Sequence, residues 1–98
     1  MEISKKHEGS TLTVALSGRL DTVTAPEFEA SAMEDLDGVT DLIIDLKDLE
    51  YMSSAGLRVM LALYKKMTVQ GSMKVVNVND TIAEIFELTG FNDILNIE

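Results

Sequence analysis

Two neighbouring hydroxyls, Ser53 and Ser54, are the side chains of this sequence best placed to do chemistry. Upstream of them, Asp41-Leu42-Ile43-Ile44-Asp45 reads as a buried strand, central over Leu42–Leu46, followed by a short loop through Tyr51-Met52. Downstream, Leu57-Arg58-Val59-Met60-Leu61-Ala62-Leu63-Tyr64 reads as a helix. That order sets both serines at a helix N-terminus, where the first turn has unpaired backbone N–H groups and a partial positive charge. A phosphate on either hydroxyl would sit in a favourable field. The chemistry this suggests is a switch. Two readings of the pair compete. One serine can simply cap the helix, a common use of the residue; or one caps it while the other presents its hydroxyl to a kinase. Ala55 and Gly56 keep the surroundings small, as a closing active site requires. Gly56 in a first turn costs helix stability, and close packing against the sheet is an equally good reason for it.

Other constellations are absent. The only histidine, His7, lies beside an expected hairpin turn and far in sequence from the serines, so it reads as a solvated turn residue and not a general base. Neither a dinucleotide-binding nor a P-loop glycine pattern occurs, and the six glycines are scattered at turns. Acidic pairs such as Glu34-Asp35 fall on a solvated helix face with no histidine or cysteine beside them. No enzyme, metal or cofactor is expected. The absence of cysteine excludes disulfides, thiolate metal sites and cysteine nucleophiles.

Seventeen acidic residues against eight basic ones give a formal charge of −9. Such a chain is repelled by nucleic-acid phosphates and anionic lipid surfaces, which argues against direct nucleic-acid binding. A partner with a basic face suits it better, although the same charge would also serve solubility alone. No stretch approaches the roughly 20 apolar residues that span a bilayer, so no membrane insertion is expected. No apolar run follows Lys5-Lys6, so no signal peptide is expected and cytoplasmic residence is the default.

The elements that must position the serines follow from periodicity. Met1–His7 and Thr11–Leu20 read as a strand pair turning at Glu8-Gly9-Ser10, with Leu12, Val14 and Leu16 on the buried face. Thr24-Ala25-Pro26-Glu27 has the pattern of a capping box, and Phe28, Ala32 and Leu36 line one helix face before a stop at Gly38. The second helix carries Leu57, Met60, Leu61, Tyr64 and Met67, with Val59 and Leu63 widening the stripe, and ends at Gly71. Lys74–Val78 reads as a strand. Thr81-Ile82-Ala83-Glu84 repeats the capping box, with Ile82, Ile85, Phe86 and Thr89 facing inward and Gly90-Phe91 closing the helix. Ile94, Leu95 and Ile97 could form a small edge strand. The order β-β-α-β-α-β-α predicts one α/β domain over residues 1–98: a mixed sheet of an opening antiparallel hairpin and parallel β-α units, packed by helices. Asp21, Ser53-Ser54 and Asn79-Asp80 all follow strands and are expected to meet at one end.

Asp45-Leu46 and Tyr51-Met52-Ser53-Ser54-Ala55-Gly56-Leu57 strongly resemble the signature of the STAS domain, particularly the bacterial anti-sigma factor antagonists. The similarity extends through Gly18-Arg19-Leu20-Asp21, Lys74–Val78 and Phe86-Glu87-Leu88-Thr89-Gly90-Phe91. The resemblance implies a STAS-like fold, with Ser54, two positions before the signature glycine, as phosphoacceptor. Many family members have an aspartate where this chain has Ser53, and some a serine where it has Ala55. The resemblance also implies a partner surface of Asp21, Ser53, Ala55, Gly56, Leu57 and Arg58. By the same token the unphosphorylated chain would bind an anti-sigma factor that is also a serine kinase, freeing a sigma factor. Phosphorylation of Ser54 would break the complex and a PP2C-type phosphatase would restore it. The alternative is a STAS subunit of a membrane ABC-type transport complex, whose relatives need no phosphorylatable serine.

Overall fold

The computed structural model describes residues 1–98. The chain runs β1 (Glu2–Glu8), β2 (Thr11–Leu20), α1 (Ala25–Glu34), β3 (Asp41–Met52), α2 (Ser54–Gln70), β4 (Ser72–Val76) and α3 (Asp80–Thr89), then a 3₁₀ turn at Phe91–Asp93. The four strands form one sheet in the order β1-β2-β3-β4. It is antiparallel across β1 and β2, whose turn holds Gly9 at φ +59°, and parallel from β2 to β4. This is the mixed α/β arrangement that the alternation of strand and helix patterns predicts.

Period-two patterning on β2 puts Leu12, Val14 and Leu16 fully inside, while Thr11, Thr13, Ala15 and Ser17 are half-buried on the opposite face. Those leucines and valine join Phe28 and Ala32 of α1, Leu57, Met60, Leu63 and Met67 of α2, and Ile82 and Phe86 of α3 in one apolar core.

β3 departs from expectation. It runs to Met52, so the stretch expected to be a loop is strand, and only Ser53 separates it from α2. The reason lies in the pairing. β3 has 12 residues against 10 in β2, and the register shifts between Ala15 and Ser17 and between Gly18 and Arg19. Each shift opposes one extra β3 residue to β2, as a β-bulge does. The buried residues of β3 are therefore Leu42, Ile44, Leu46, Leu49 and Met52, and the spacing of three after Leu46 breaks the alternation that marks a strand.

Three helix ends also differ. Thr24 precedes α1 but makes no side-chain cap, and the helix stops at Glu34, leaving Leu36 buried beyond it and Gly38 in the following turn. α3 starts earlier than Thr81 suggests, because Asn79 caps it by accepting from the Ile82 N–H at 3.1 Å. The Asn79 amide also donates to the Leu49 carbonyl at 2.7 Å, tying that cap to the bulged half of β3. Thr89 is exposed and bonds back to the Ile85 carbonyl at 2.7 Å. Gly90 closes α3 in the left-handed conformation, as expected, and Phe91 stacks on Phe86 with ring centroids 6.5 Å apart. β4 lies two residues earlier than expected, Asn77 leaving the strand at φ +55°. No strand forms at the C-terminal end; Ile97 makes a single bridge to Val75.

Gly56 is buried where α2 crosses the ends of β2 and β3. A Cβ there would stand 2.8 Å from Leu20 Cγ and Cδ2 and 2.9 Å from Met52 Cγ. Leu20 and Met52 are themselves enclosed, so neither can give way into solvent. Gly56→Ala is therefore expected to cost about 1–3 kcal/mol of stability by overpacking, although alanine favours a helix by up to about 1 kcal/mol. Urea denaturation checks this, and a gain in stability would refute the contact argument.

Candidate functional site

A short hydrogen bond builds the site. The Ser53 N–H donates to the Leu20 carbonyl at 2.8 Å, so the last residues of β2 and β3 are still paired where α2 begins. Asp21, next after Leu20, and Ser53 are thus brought together as expected. The Asn79-Asp80 turn instead borders Lys47–Glu50 in a separate depression of about 610 Å³ that contains none of the serine-site residues.

Ser53 and Ser54 have different surroundings. Ser53 is the N-cap residue with extended backbone (φ −85°, ψ 175°), yet its side chain makes no cap hydrogen bond. Its Oγ is buried and has no partner. An unpaired buried hydroxyl costs about 1–3 kcal/mol relative to a satisfied one. Ser54 is the first helical residue and its side chain is exposed. The backbone ladder starts normally, Leu57 N–H to Ser53 C=O at 3.0 Å, but no side chain covers the first turn, whose dipole favours an anion.

Asp21 has a task that sequence reasoning missed. Its Oδ1 accepts from the Val23 N–H at 3.0 Å and the Thr24 N–H at 3.1 Å, and its carbonyl accepts from the Ala25 N–H at 2.8 Å. The Thr24 hydroxyl donates to the Arg19 carbonyl at 2.8 Å and accepts from the Asp21 N–H at 2.9 Å. Asp21 and Thr24 together lock the loop into α1, which is why Thr24 is not a cap. Hydrogen bonds from Thr24, with a lesser part from Val23 and the Arg19 charge, hold the Asp21 carboxyl below its ordinary 3.8. Arg19 itself lies over the Tyr51 ring, 4.5 Å from its centroid. At the tip of this loop Val23 is 83% exposed.

Of the remaining expected contact residues, Ala55 is half-buried and Arg58 exposed, whereas Gly56 and Leu57 face the core. Ala55 and Arg58 line a groove of about 440 Å³ between α1 and α2, with Pro26, Glu29, Val59 and Ala62. The α1 side of this groove was not legible: Pro26 and Glu29 read only as helix start and solvated face. No cluster of histidine, cysteine or acidic side chains suited to a metal occurs. No helix is long and apolar enough to cross a membrane.

Comparison with known proteins gives one consistent result. A family model described as the STAS domain matches residues 2–98. An anti-sigma-B factor antagonist of Bacillus subtilis is 31% identical over 98 residues, covering 99% of this chain and 90% of its own. Among solved structures, an anti-sigma factor antagonist from Mycobacterium paratuberculosis superposes with a TM-score of 0.87 at 27% identity, covering 98% of this chain and 83% of its own. SpoIIAA superposes in its unphosphorylated form with a TM-score of 0.84 at 20% identity, over 99% of this chain and 88% of its own. As the Bacillus cell fate determinant in phosphorylated form it gives 0.74 at 21%, over 99% and 91%. At that identity SpoIIAA speaks for the fold.

Two outcomes follow from the geometry. Ser53→Ala removes a hydroxyl that caps nothing, so its unfolding midpoint should match or exceed wild type; a loss of about 1 kcal/mol, the usual worth of an N-cap, would show that the hydroxyl caps α2 in solution. Asp21→Ala should lower the thermal midpoint at neutral pH. Because the folded pKa is depressed, the carboxylate's contribution is full above 3.8 and fades as pH falls through the lower folded value. The gap to wild type should close in that acid range, and a gap independent of pH would refute the assignment.

Proposed function

The chain belongs to the STAS domain family, and from that premise we propose that it is an anti-sigma factor antagonist switched by phosphorylation of Ser54. The observation that carries the reading is the contrast between the two hydroxyls. Ser54 is exposed at the start of α2 beside a groove, whereas the Ser53 Oγ is enclosed. A kinase needs the first and cannot reach the second without rearrangement.

In this reading the unphosphorylated chain, one STAS unit over residues 1–98, binds a cytoplasmic anti-sigma factor that is also a serine kinase, and a sigma factor is released. Ser54, Ala55 and Arg58 meet the partner directly, with Asp21 and the backbone at Ser53 framing them. Gly56 and Leu57 act from below by fixing the turn. The kinase transfers the γ-phosphoryl group of its ATP to Ser54 Oγ, with release of ADP and the hydroxyl proton. The chain itself is the substrate and performs no turnover. A PP2C-type phosphatase returns the hydroxyl.

The physics favours a local effect. Phosphate adds about −1.5 to −2 charges and three acceptor oxygens to an already acidic protein. α2's first turn accommodates that charge, so the fold survives. A partner surface fitted to a hydroxyl meets added bulk and a dianion to desolvate, and a loss of about 3 kcal/mol is already more than hundredfold in affinity.

Capture from native-host lysate on wild-type, Ser54→Ala and Ser54→Asp baits tests this. Wild type and Ser54→Ala should retain a kinase-like anti-sigma factor, and Ser54→Asp should retain it at least tenfold less. Equal capture by all three overturns the switch. Common capture of a transporter ATPase would assign the chain to a membrane transport complex instead.

A further inference from the structure

The charges of this protein are segregated by helix. α1 carries Glu27, Glu29 and Glu34, and α3 carries Asp80, Glu84 and Glu87. α2 carries Arg58, Lys65 and Lys66 and no carboxylate at all, in a chain of formal charge −9. Nothing in α2 therefore neutralises Arg58 from within its own helix. The ion pairs of the protein are Lys5–Asp35, Lys6–Glu8 and Lys74–Glu98, and none involves Arg58. Of the two arginines, Arg19 is engaged on Tyr51. Arg58 is exposed and borders the groove without a bonded partner.

Arg58 is also one helical turn beyond Ser54. Residues four apart share one stripe of a helix, with Cβ atoms about 5–6 Å apart, and both of these are on the exposed side. A guanidinium offers a rigid fork of donors that fits two phosphate oxygens at once, which a lysine ammonium does not. We propose that Arg58 is the internal counter-ion of the Ser54 phosphate, closing on it along the helix once the group is added. The inference rests on the reading of Ser54 as phosphoacceptor and adds how the signal is made. Phosphorylation then does more than introduce an anion. It draws the only cation of the groove lining away from Pro26, Glu29 and Ala62 and leaves Glu29 as the groove's sole charge. A partner that recognised the arginine meets an acidic groove instead.

Three other charged groups lie near the site: Arg19, whose charge acts on Asp21 while its guanidinium is held over Tyr51 and is common to every variant compared below, and two carboxylates that oppose Arg58. Glu29 faces it from α1, and Asp21 lies in the loop attached through the Leu20–Ser53 hydrogen bond. Both carboxylates raise the second ionisation of a nearby phosphate, whereas a paired guanidinium lowers it. The test is a ³¹P NMR titration of the full chain with phosphoserine installed at position 54 during synthesis, as wild type, Arg58→Gln and Lys65→Gln. The second ionisation, ordinarily near pH about 6, should lie about half a pH unit lower in wild type than in Arg58→Gln, a roughly threefold change in that equilibrium. Lys65→Gln, two further turns along the helix, should titrate like wild type. The Arg58 Nε–H resonance should move on phosphorylation. Superimposable titrations of wild type and Arg58→Gln, an equal shift in Lys65→Gln, or an unmoved Nε–H resonance would each overturn the pairing. No partner or kinase enters this measurement, so its failure leaves the Ser54 switch standing, while failure of the switch appears in the capture experiment.

Discussion

The junction of Leu20, Ser53 and Gly56 sets the geometry at the start of α2. Leu20 is the last residue of β2, and its carbonyl still holds the first residue after β3. Its side chain lies so close to Gly56 that only a hydrogen fits between them. The backbone bond fixes where α2 starts and the missing Cβ fixes how near the sheet it runs. With both constraints in place Ser53 turns inward, Ser54 outward, and Asp21 is delivered beside them. The Ser53 Oγ is enclosed at this junction without a protein partner.

Much of this was readable from the residues. The order of elements, the β2 face of Leu12, Val14 and Leu16, the glycine ends at Gly71 and Gly90, and the siting of both serines at a helix start follow from patterns that are local along the chain. What could not be read involves competition between distant or adjacent partners. The β3 bulges exist because β2 and β3 must end together, a constraint that neither strand states by itself. Thr24 and Thr81 each begin an apparent capping box, but Asp21 claims the first hydroxyl's neighbourhood and Asn79 displaces the second. A polar side chain two or three residues upstream can fix the turn or start the helix first, and sequence spacing alone does not rank the candidates. Leu36 kept its buried place without being helical, because burial is decided by the core and helix length by capping.

The electrostatic layout was half legible. An acidic chain was evident from composition, but a net charge averages over faces. Among the helices, α1 and α3 carry acidic charge only and α2 basic charge only, so the helix that begins at Ser54 is a positive ridge beside a negative one. The switch proposed for Ser54 would work by small displacements of charge within a fixed scaffold. That suits a protein whose core is continuous and whose site has no hinge of its own: only Ser53 joins β3 to α2.

The bulges of β3 have one more effect, on how the gene can change length. Leu46, Leu49 and Met52 point inward at intervals of three because each interval contains a surplus residue. Losing one residue from either interval restores an interval of two, which is an ordinary strand with the same leucines and methionine inside. A single-codon deletion there would be absorbed by flattening a bulge, leaving the serines at the start of their helix. β3 is thereby a length buffer upstream of the two serines, holding one surplus residue in each of its last two inward intervals.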